Sequence, residues 1–235
     1  MSNKSKGRDS GPKKDNFTRN LVVVVVVGVL LIMLVPTLLA SKTDVSAAVP
    51  SSVSAEDGYG IVFNKELKNV PNIDIYEDFQ CPVCAQFEAL NGKYIEELIN
   101  AKKARVVYHT LSFLGQSQGS ANESAQAANA AACAADEGQF LTLHSLLYST
   151  QPKENAGTWT PSYLTQVAAT AGIASDSFTN CVNSGKYAGW VDNVAAAGAK
   201  KNVNSTPTVF VNGKEIDRNT QYFDAAAFKA VVEKG

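Results

Sequence analysis

The sequence predicts an α/β fold, a mixed sheet interrupted by a block of helices, carried behind one transmembrane helix. Three features predict it. Asn72–Glu77 alternates apolar side chains at Ile73 and Ile75, and Arg105–Leu111 is dominated by β-branched and aromatic residues, so both read as strands with a helical pattern between them. Residues 113–186 show no strand pattern, only helical spacing and a high alanine content. Leu21–Ala40 is twenty residues without a charge. At about 1.5 Å per residue such a helix spans roughly the 30 Å of a bilayer's hydrocarbon core.

A chain of 235 residues, 45% hydrophobic and 18% charged, holds one good-sized domain plus an accessory segment. Its formal charge of −1 argues against a nucleic-acid binder, but that charge is unevenly placed. Residues 1–20 carry Lys4, Lys6, Arg8, Lys13, Lys14 and Arg19 against Asp9 and Asp15 and read as a basic, disordered tail. Basic residues precede the apolar span and only Lys42 follows closely, which leaves the tail in the cytoplasm and everything after Ser41 outside. The alternative is a cleaved signal peptide and a secreted product. Val45-Ser46-Ala47 resembles a small-residue cleavage site, but the apolar run is long for a signal and the basic tail is extended. No cysteine follows closely, so a lipoprotein anchor is excluded and a single-pass anchor in the cell membrane is preferred. Residues 41–57, rich in Ser, Ala and Val, read as a flexible stalk.

From residue 58 the folded domain begins, with Ile61-Val62-Phe63 as an edge strand. After Asn72–Glu77, residues Cys84, Phe87, Leu90, Tyr94 and Leu98 recur three or four apart and form one face of a helix, with Glu88, Lys93, Glu96 and Glu97 mostly opposite. Arg105–Leu111 is then a central strand, parallel to the first because a helix crosses between them. In the insert, Ser120 and Glu123 form a capping box for a helix running to about Asp136, and Gln139–Ser149 is a second helix. Thr160-Pro161 starts a third, with Tyr163, Leu164, Val167, Ala168 and Ala171 on one face and Gly172 as its stop; Ser175–Ser184 is a fourth, closed by Gly185. A helix over about Tyr187–Lys201 leads back to the sheet. Asn212-Gly213 predicts a type I′ hairpin pairing Thr208–Val211 with Lys214–Ile216. Asp224 caps a last helix with Phe228, Val231 and Val232 inward.

The chemistry lies where the first strand hands over to its helix, at Cys81-Pro82-Val83-Cys84. Unpaired N–H groups and the positive end of the helix dipole favour a negative charge there, so Cys81 is expected to ionise more easily than a free cysteine. Cys84 can close a disulfide with it. A zinc knuckle needs a second ligand pair, yet Cys133 and Cys181 are isolated and the two histidines, His109 and His144, sit in no metal spacing, so no metal is expected. An inert structural bridge has no use for a helix N-terminus. The pair reads as a redox site, His109 and His144 as ordinary strand and helix residues, and Trp159 and Trp190 as packing.

Strand, C-x-x-C and helix, with a late Thr206-Pro207 leading into a Val-rich hairpin, resemble the thioredoxin fold. With the helical insert and the run Asp78-Phe79-Gln80-Cys81-Pro82-Val83-Cys84, residues 60–235 are similar to the DsbA-like thiol:disulfide oxidoreductases. The resemblance implies that Cys81 is the nucleophile, Cys84 the buried resolving thiol, and Pro207 a cis proline. A cis X-Pro bond costs only about 0.5–1 kcal/mol and leaves the neighbouring backbone at Thr206 open to an extended substrate. Two departures stand out. Members close to the type enzyme carry a buried glutamate six residues before the first cysteine, where this chain has Ile75. Asp78 or Glu77 is then the candidate for proton transfer, the alternative being that both are solvated at the strand edge. The strongest oxidants have Pro-His between the cysteines, and Val83 offers neither proton nor charge. Pro82 and Val83 therefore tune the site to a Cys81 pKa between DsbA's value of about 3.5 and the free value of about 8.5. The potential should fall between about −120 and about −270 mV.

With Cys81–Cys84 as the redox couple, Cys133 and Cys181 are left to bridge each other, the alternative being two separately buried thiols. The expected function is a membrane-anchored, outward-facing oxidase that introduces disulfides into unfolded secreted proteins bearing free cysteines. It is expected to be a monomer and to need no cofactor of its own. The resemblance implies a membrane quinone-coupled reoxidant of DsbB or vitamin K epoxide reductase type. A reductase or isomerase would use the same residues, although isomerases of this superfamily dimerise through an N-terminal domain that a short stalk cannot build. A non-catalytic peptide-binding module, its groove beside Pro207, is the remaining reading.

Overall fold

Asn72–Glu77 is buried along almost its whole length on both faces, which makes it the spine of the sheet. It is the third strand of β1 (Val53–Ser54), β2 (Gly60–Phe63), β3 (Asn72–Glu77), β4 (Arg105–Thr110), β5 (Thr208–Val211) and β6 (Lys214–Glu215). In space the order is β1-β2-β4-β3-β5-β6. β3 runs parallel to β4, with Ile73 opposite Val106 and Glu77 opposite Thr110, and antiparallel to β5. The parallel pair is joined by helix α1 (Pro82–Asn100), as the strand–helix–strand pattern predicts. At the β5–β6 turn both Asn212 and Gly213 have positive φ, the backbone a type I′ hairpin requires.

This computed structural model describes residues 48–115 and 122–234. The basic tail 1–20, the apolar span 21–40, the stalk up to residue 47 and Ser120 lie outside the described residues. Among the described residues, no helix is long and apolar enough to cross a membrane.

The two faces of the sheet follow from the period of two along β3. On one face Ile73, Ile75 and Glu77 point the same way as Val106 and Tyr108 of β4. There Phe87 of α1 meets Phe228 of the C-terminal helix, and Tyr108 meets Phe140 at the start of the second helix of the insert. On the other face Tyr76 stacks on His109 at 3.9 Å, and a Cβ at Gly198, on the helix before β5, would come within 3.4 Å of Tyr76. The insert is α2 (Glu123–Asp136), α3 (Phe140–Ser149), α4 (Pro161–Thr170) and α5 (Asp176–Ser184). Its alanines at 127, 128, 130, 131, 132 and 134 are all fully buried, so small side chains let neighbouring helices approach α2 closely. Cys133 on α2 is bonded to Cys181 on α5. α6 (Ala188–Lys200) and α7 (Ala225–Lys234) complete the chain, and Asp224 Oδ1 accepts from Ala226 N and Ala227 N at the start of α7.

Four expectations are corrected. Part of the stalk belongs to the fold: Val53 pairs with Ile61, Ser54 is buried, and Ser51 N donates to Asp136 Oδ1. β2 is therefore covered by β1 and is no edge strand. The N-cap of α2 is Asn122, whose side chain accepts from Ala125 N, whereas Glu123 reaches away to accept from Gly157 N and Trp159 N. Leu90 is 43% exposed, and the buried face of α1 runs instead through Cys84, Phe87, Asn91, Ile95, Leu98 and Ile99. Asn91 enters that face because its Nδ2 donates to Tyr222 O, a polar pairing that hydrophobic spacing does not register.

Candidate active site

Cys81 is the N-cap of α1, with extended backbone, and Pro82 occupies the first turn. Proline suits that position because its missing N–H would have no intrahelical partner there. Cys84 lies one turn further in. Neither cysteine is disulfide-bonded here, but their surroundings differ. Cys81 retains 7% of its surface and Cys84 none. The Cys84 thiol donates toward Cys81, burial opposes it, and Thr206 and the N–H groups of Cys84 and Val83 add to it; together they bring the Cys81 thiol down to about 6. Burial first, and then the neighbouring Cys81 and the charge of Glu77, push Cys84 well above the ordinary thiol range. One sulfur is thus held as a thiolate and the other as a thiol. Val83 is 40% exposed and contributes only its backbone N–H.

The Thr206–Pro207 peptide bond is cis, and Cys81 Sγ lies 3.5 Å from Thr206 O. Arg218, in the segment after β6, holds this loop in place. Its Nη2 donates to Pro207 O at 2.7 Å and to Ser205 Oγ at 2.8 Å. The opposite side of the motif is tied to the insert. Gln151 Nε2 donates to Phe79 O and to Cys81 O, at 2.6 and 3.1 Å. Gln80 donates to Ser124 Oγ and accepts from Asn155 N. Sequence reasoning missed Arg218, Gln151 and Ser124, since each sits far along the chain in an unremarkable context.

Asp78 and Glu77 are both buried, which removes the alternative of solvated strand-edge carboxylates. Their surroundings separate them. Asp78 is fully engaged, Oδ1 accepting from Gln80 N and Ser124 Oγ and Oδ2 from Leu114 N, and burial still holds its pKa above the usual carboxylate range. It is a brace between the motif, the loop after β4 and α2. Glu77 Oε1 pairs with His144 Nε2 at 2.6 Å, while its Oε2 is buried without a partner. His144 is thus no ordinary helix residue. Burial disfavours its cation, but the charges of Glu77 and then Glu88 outweigh that and raise its pKa. Burial also pushes Glu88 up to about 8. His109 lies on the other face against Asp74, and Cys133–Cys181 belongs to the insert; neither adjoins the redox pair in sequence or fold element.

A thiol pair of unequal acidity at the first helix of a β-α-β unit, faced by a cis-proline loop, defines a thioredoxin-fold dithiol protein. The chain belongs to the thioredoxin family, whose model, described as Thioredoxin, matches residues 67–234. Among solved structures it is similar to reduced DsbG, a disulfide bond oxidoreductase of Mycobacterium tuberculosis, at 30% identity and a TM-score of 0.60, over 79% of this chain and 84% of that one. MdbA of Actinomyces oris, a thiol-disulfide oxidoreductase, aligns at 26% identity and a TM-score of 0.67, over 80% and 92%. Reduced DsbA of M. tuberculosis aligns at 29% and 0.60, over 79% and 89%. Among curated sequences the chain is 30% identical over 148 residues to the serine/threonine-protein kinase PknE of M. tuberculosis, 59% of this chain and 26% of that protein. It spans about a quarter of the length of that relative.

Proposed function

We propose that this protein is an extracytoplasmic thiol:disulfide oxidase, held by an N-terminal membrane anchor, that donates its Cys81–Cys84 disulfide to secreted proteins. The observation that carries the reading is the unequal acidity of the two thiols. In the oxidised enzyme a substrate thiolate attacks Cys81 Sγ, the Cys81–Cys84 bond breaks, and Cys84 leaves and takes up a proton, as its raised pKa favours. The substrate's second thiolate then attacks its own sulfur in the mixed disulfide. Cys81 leaves as the stabilised thiolate, two electrons pass to the enzyme, and the substrate acquires a disulfide. A leaving group of low pKa speeds this step, and stabilising the reduced form raises the potential. Of the two carboxylates considered for proton transfer, Asp78 is fully occupied, so Glu77, whose charge bears on Cys84, is the better candidate.

The backbone near Thr206 and Pro207 is the proposed dock for an extended substrate, and a membrane quinone-coupled protein of DsbB or vitamin K epoxide reductase type the proposed reoxidant. The deciding measurement is the potential of the Cys81–Cys84 couple in glutathione buffers. A value between those of DsbA and thioredoxin, about −120 and about −270 mV, supports the oxidase. A value at or below thioredoxin's reverses the direction of electron flow and makes the protein a reductase. For the anchor, protease added to intact cells should digest the domain and spare residues 1–20. Protection of the domain would rule the topology out.

A further inference from the structure

We propose that Glu77, Glu88 and His144 form a binding site for one divalent ion of the zinc type, behind the redox pair. Three separate elements converge there: Glu77 ends β3, Glu88 lies in the second turn of α1, and His144 is midway along α3. One possible ligand atom from each lies within 4.8 Å of the other two. Glu77 and His144 are buried, yet the only hydrogen bond described between members of the cluster joins His144 Nε2 to Glu77 Oε1. Glu77 Oε2 and Glu88 Oε1 are both buried without a hydrogen-bond partner. Aromatic rings of Phe79, Tyr108, Phe140 and Tyr148 surround His144. Carboxyl oxygens left without a partner among such rings are costly, and a cation that takes the place of the Glu88 proton would satisfy both at once.

Charge and ligand chemistry point the same way. Two carboxylates and a neutral imidazole around a dication sum to zero, so the burial carries no net charge. Imidazole nitrogen with carboxylate oxygen is a donor set of Zn²⁺, whereas Ca²⁺ and Mg²⁺ take oxygen alone. At bond lengths of about 2.0–2.2 Å the ligand atoms would stand roughly 3.4 Å apart. Glu77 and His144 therefore open from their hydrogen bond, and Glu88, only partly buried as a residue, moves in. A Cβ at Gly92 would stand 2.6 Å from Glu88 Oε2, so the bare glycine leaves the room in which this carboxylate turns. A cavity of about 150 Å³, lined by Ala85, Glu88, Gly92, Ser145 and Tyr148 among others, adjoins Glu88 and offers a way in and a place for a fourth, water ligand.

The test uses the full chain with Cys81–Cys84 oxidised, so that no thiol can take the metal. Zn²⁺ is titrated in by calorimetry, Co²⁺ is followed by visible absorption, and Tm is recorded with Zn²⁺ and with Ca²⁺. The expected result is one ion per chain, tetrahedral Co²⁺ bands without sulfur charge transfer, and a Tm raised by Zn²⁺ alone. Glu88→Gln keeps the volume of a partly exposed side chain and should weaken binding at least tenfold. His144→Gln should do the same, and His109→Gln should leave binding unchanged. The absence of saturable binding, an equal response to Ca²⁺, or a folded Glu88→Gln protein that loses less than tenfold in affinity overturns the site.

Discussion

Cys81 and Cys84 sit at the N-terminus of one helix and are not bonded to each other, whereas Cys133 and Cys181 lie 48 positions apart on two helices and are joined. Both pairs are almost entirely buried, so exposure alone does not separate a working disulfide from a structural one. The difference is in the surroundings of each sulfur. Cys81 faces backbone N–H groups, Thr206 and a partner thiol, while Cys84 one turn away is sealed in the core. The motif around them is also held from outside, by Gln151, Asp78 and Ser124 on one side and Arg218 on the other. Cys133 and Cys181 sit on the two helices that their bond ties together, α2 and α5. A redox pair is one whose two sulfurs the fold keeps unequal.

Removing each pair in turn should give the largest contrast. Cys81→Ala is expected to reduce disulfide exchange to background while, below pH 6 where the Cys81 thiolate no longer contributes, the thermal melt of the reduced protein barely moves. The double variant Cys133→Ala, Cys181→Ala should retain its turnover per folded molecule and lose roughly 4 kcal/mol of stability, the chain-entropy value for a loop of this length. Turnover of a fluorescent disulfide substrate and denaturant melts read the two effects separately. Mass spectrometry after mild reduction should find Cys81–Cys84 open and Cys133–Cys181 intact; the reverse order would break the comparison.

A second contrast lies within the redox pair. Alkylation of Cys81 should follow a titration with a midpoint near pH 6, while Cys84 stays unreactive to much higher pH. The same asymmetry has a stability signature in the reduced protein. Because the Cys81 pKa is lower folded than unfolded, its contribution is complete above the unfolded value near 9 and disappears as pH falls through about 6. Cys84 is shifted upward, so its effect has the opposite sign and erodes stability only above that range. Reduced-form melts should therefore show stability gained between pH 6 and 9, with no such gain in Cys81→Ala.

Smaller again is the effect of position 83. Val83→His adds a charge beside the Cys81 thiolate, so thiolate absorbance should titrate lower and the potential should rise. Equal pKa values in the two proteins would mean this position does not tune the site. The smallest effect should come from the external clamp. Arg218→Ala removes the bonds to Pro207 O and Ser205 Oγ and should cost about 1.5–3 kcal/mol, the scale for hydrogen bonds from a charged group. Exchange should slow and the Cys81 pKa should rise slightly, because the clamp holds Thr206 against the thiol; a pKa equal to that of the unaltered protein would mean that the loop positions substrate without setting the acidity.

Local signals carried much of this protein into view. The period of two in β3, the helical spacing of α1, proline after Cys81, Asn212-Gly213 at the hairpin and Gly185 at the end of α5 each act within a few residues, so they are legible without the fold. The redox pair is legible for the same reason, as both cysteines and the helix terminus that activates one of them lie on one short stretch. At Leu90, the capping box and the stalk, a partner distant in sequence overrides the local pattern: Tyr222 draws Asn91 inward, Trp159 takes Glu123, and Asp136 holds Ser51. Only the tertiary structure could bring Glu77, Glu88 and His144 together, because the sheet, α1 and α3 meet there with no shared spacing to announce it. It also decided that Asp78 is a brace while Glu77 keeps an unpartnered oxygen, since a carboxylate's role depends on which donors reach it, and those donors come from Leu114 and Ser124, well away in sequence.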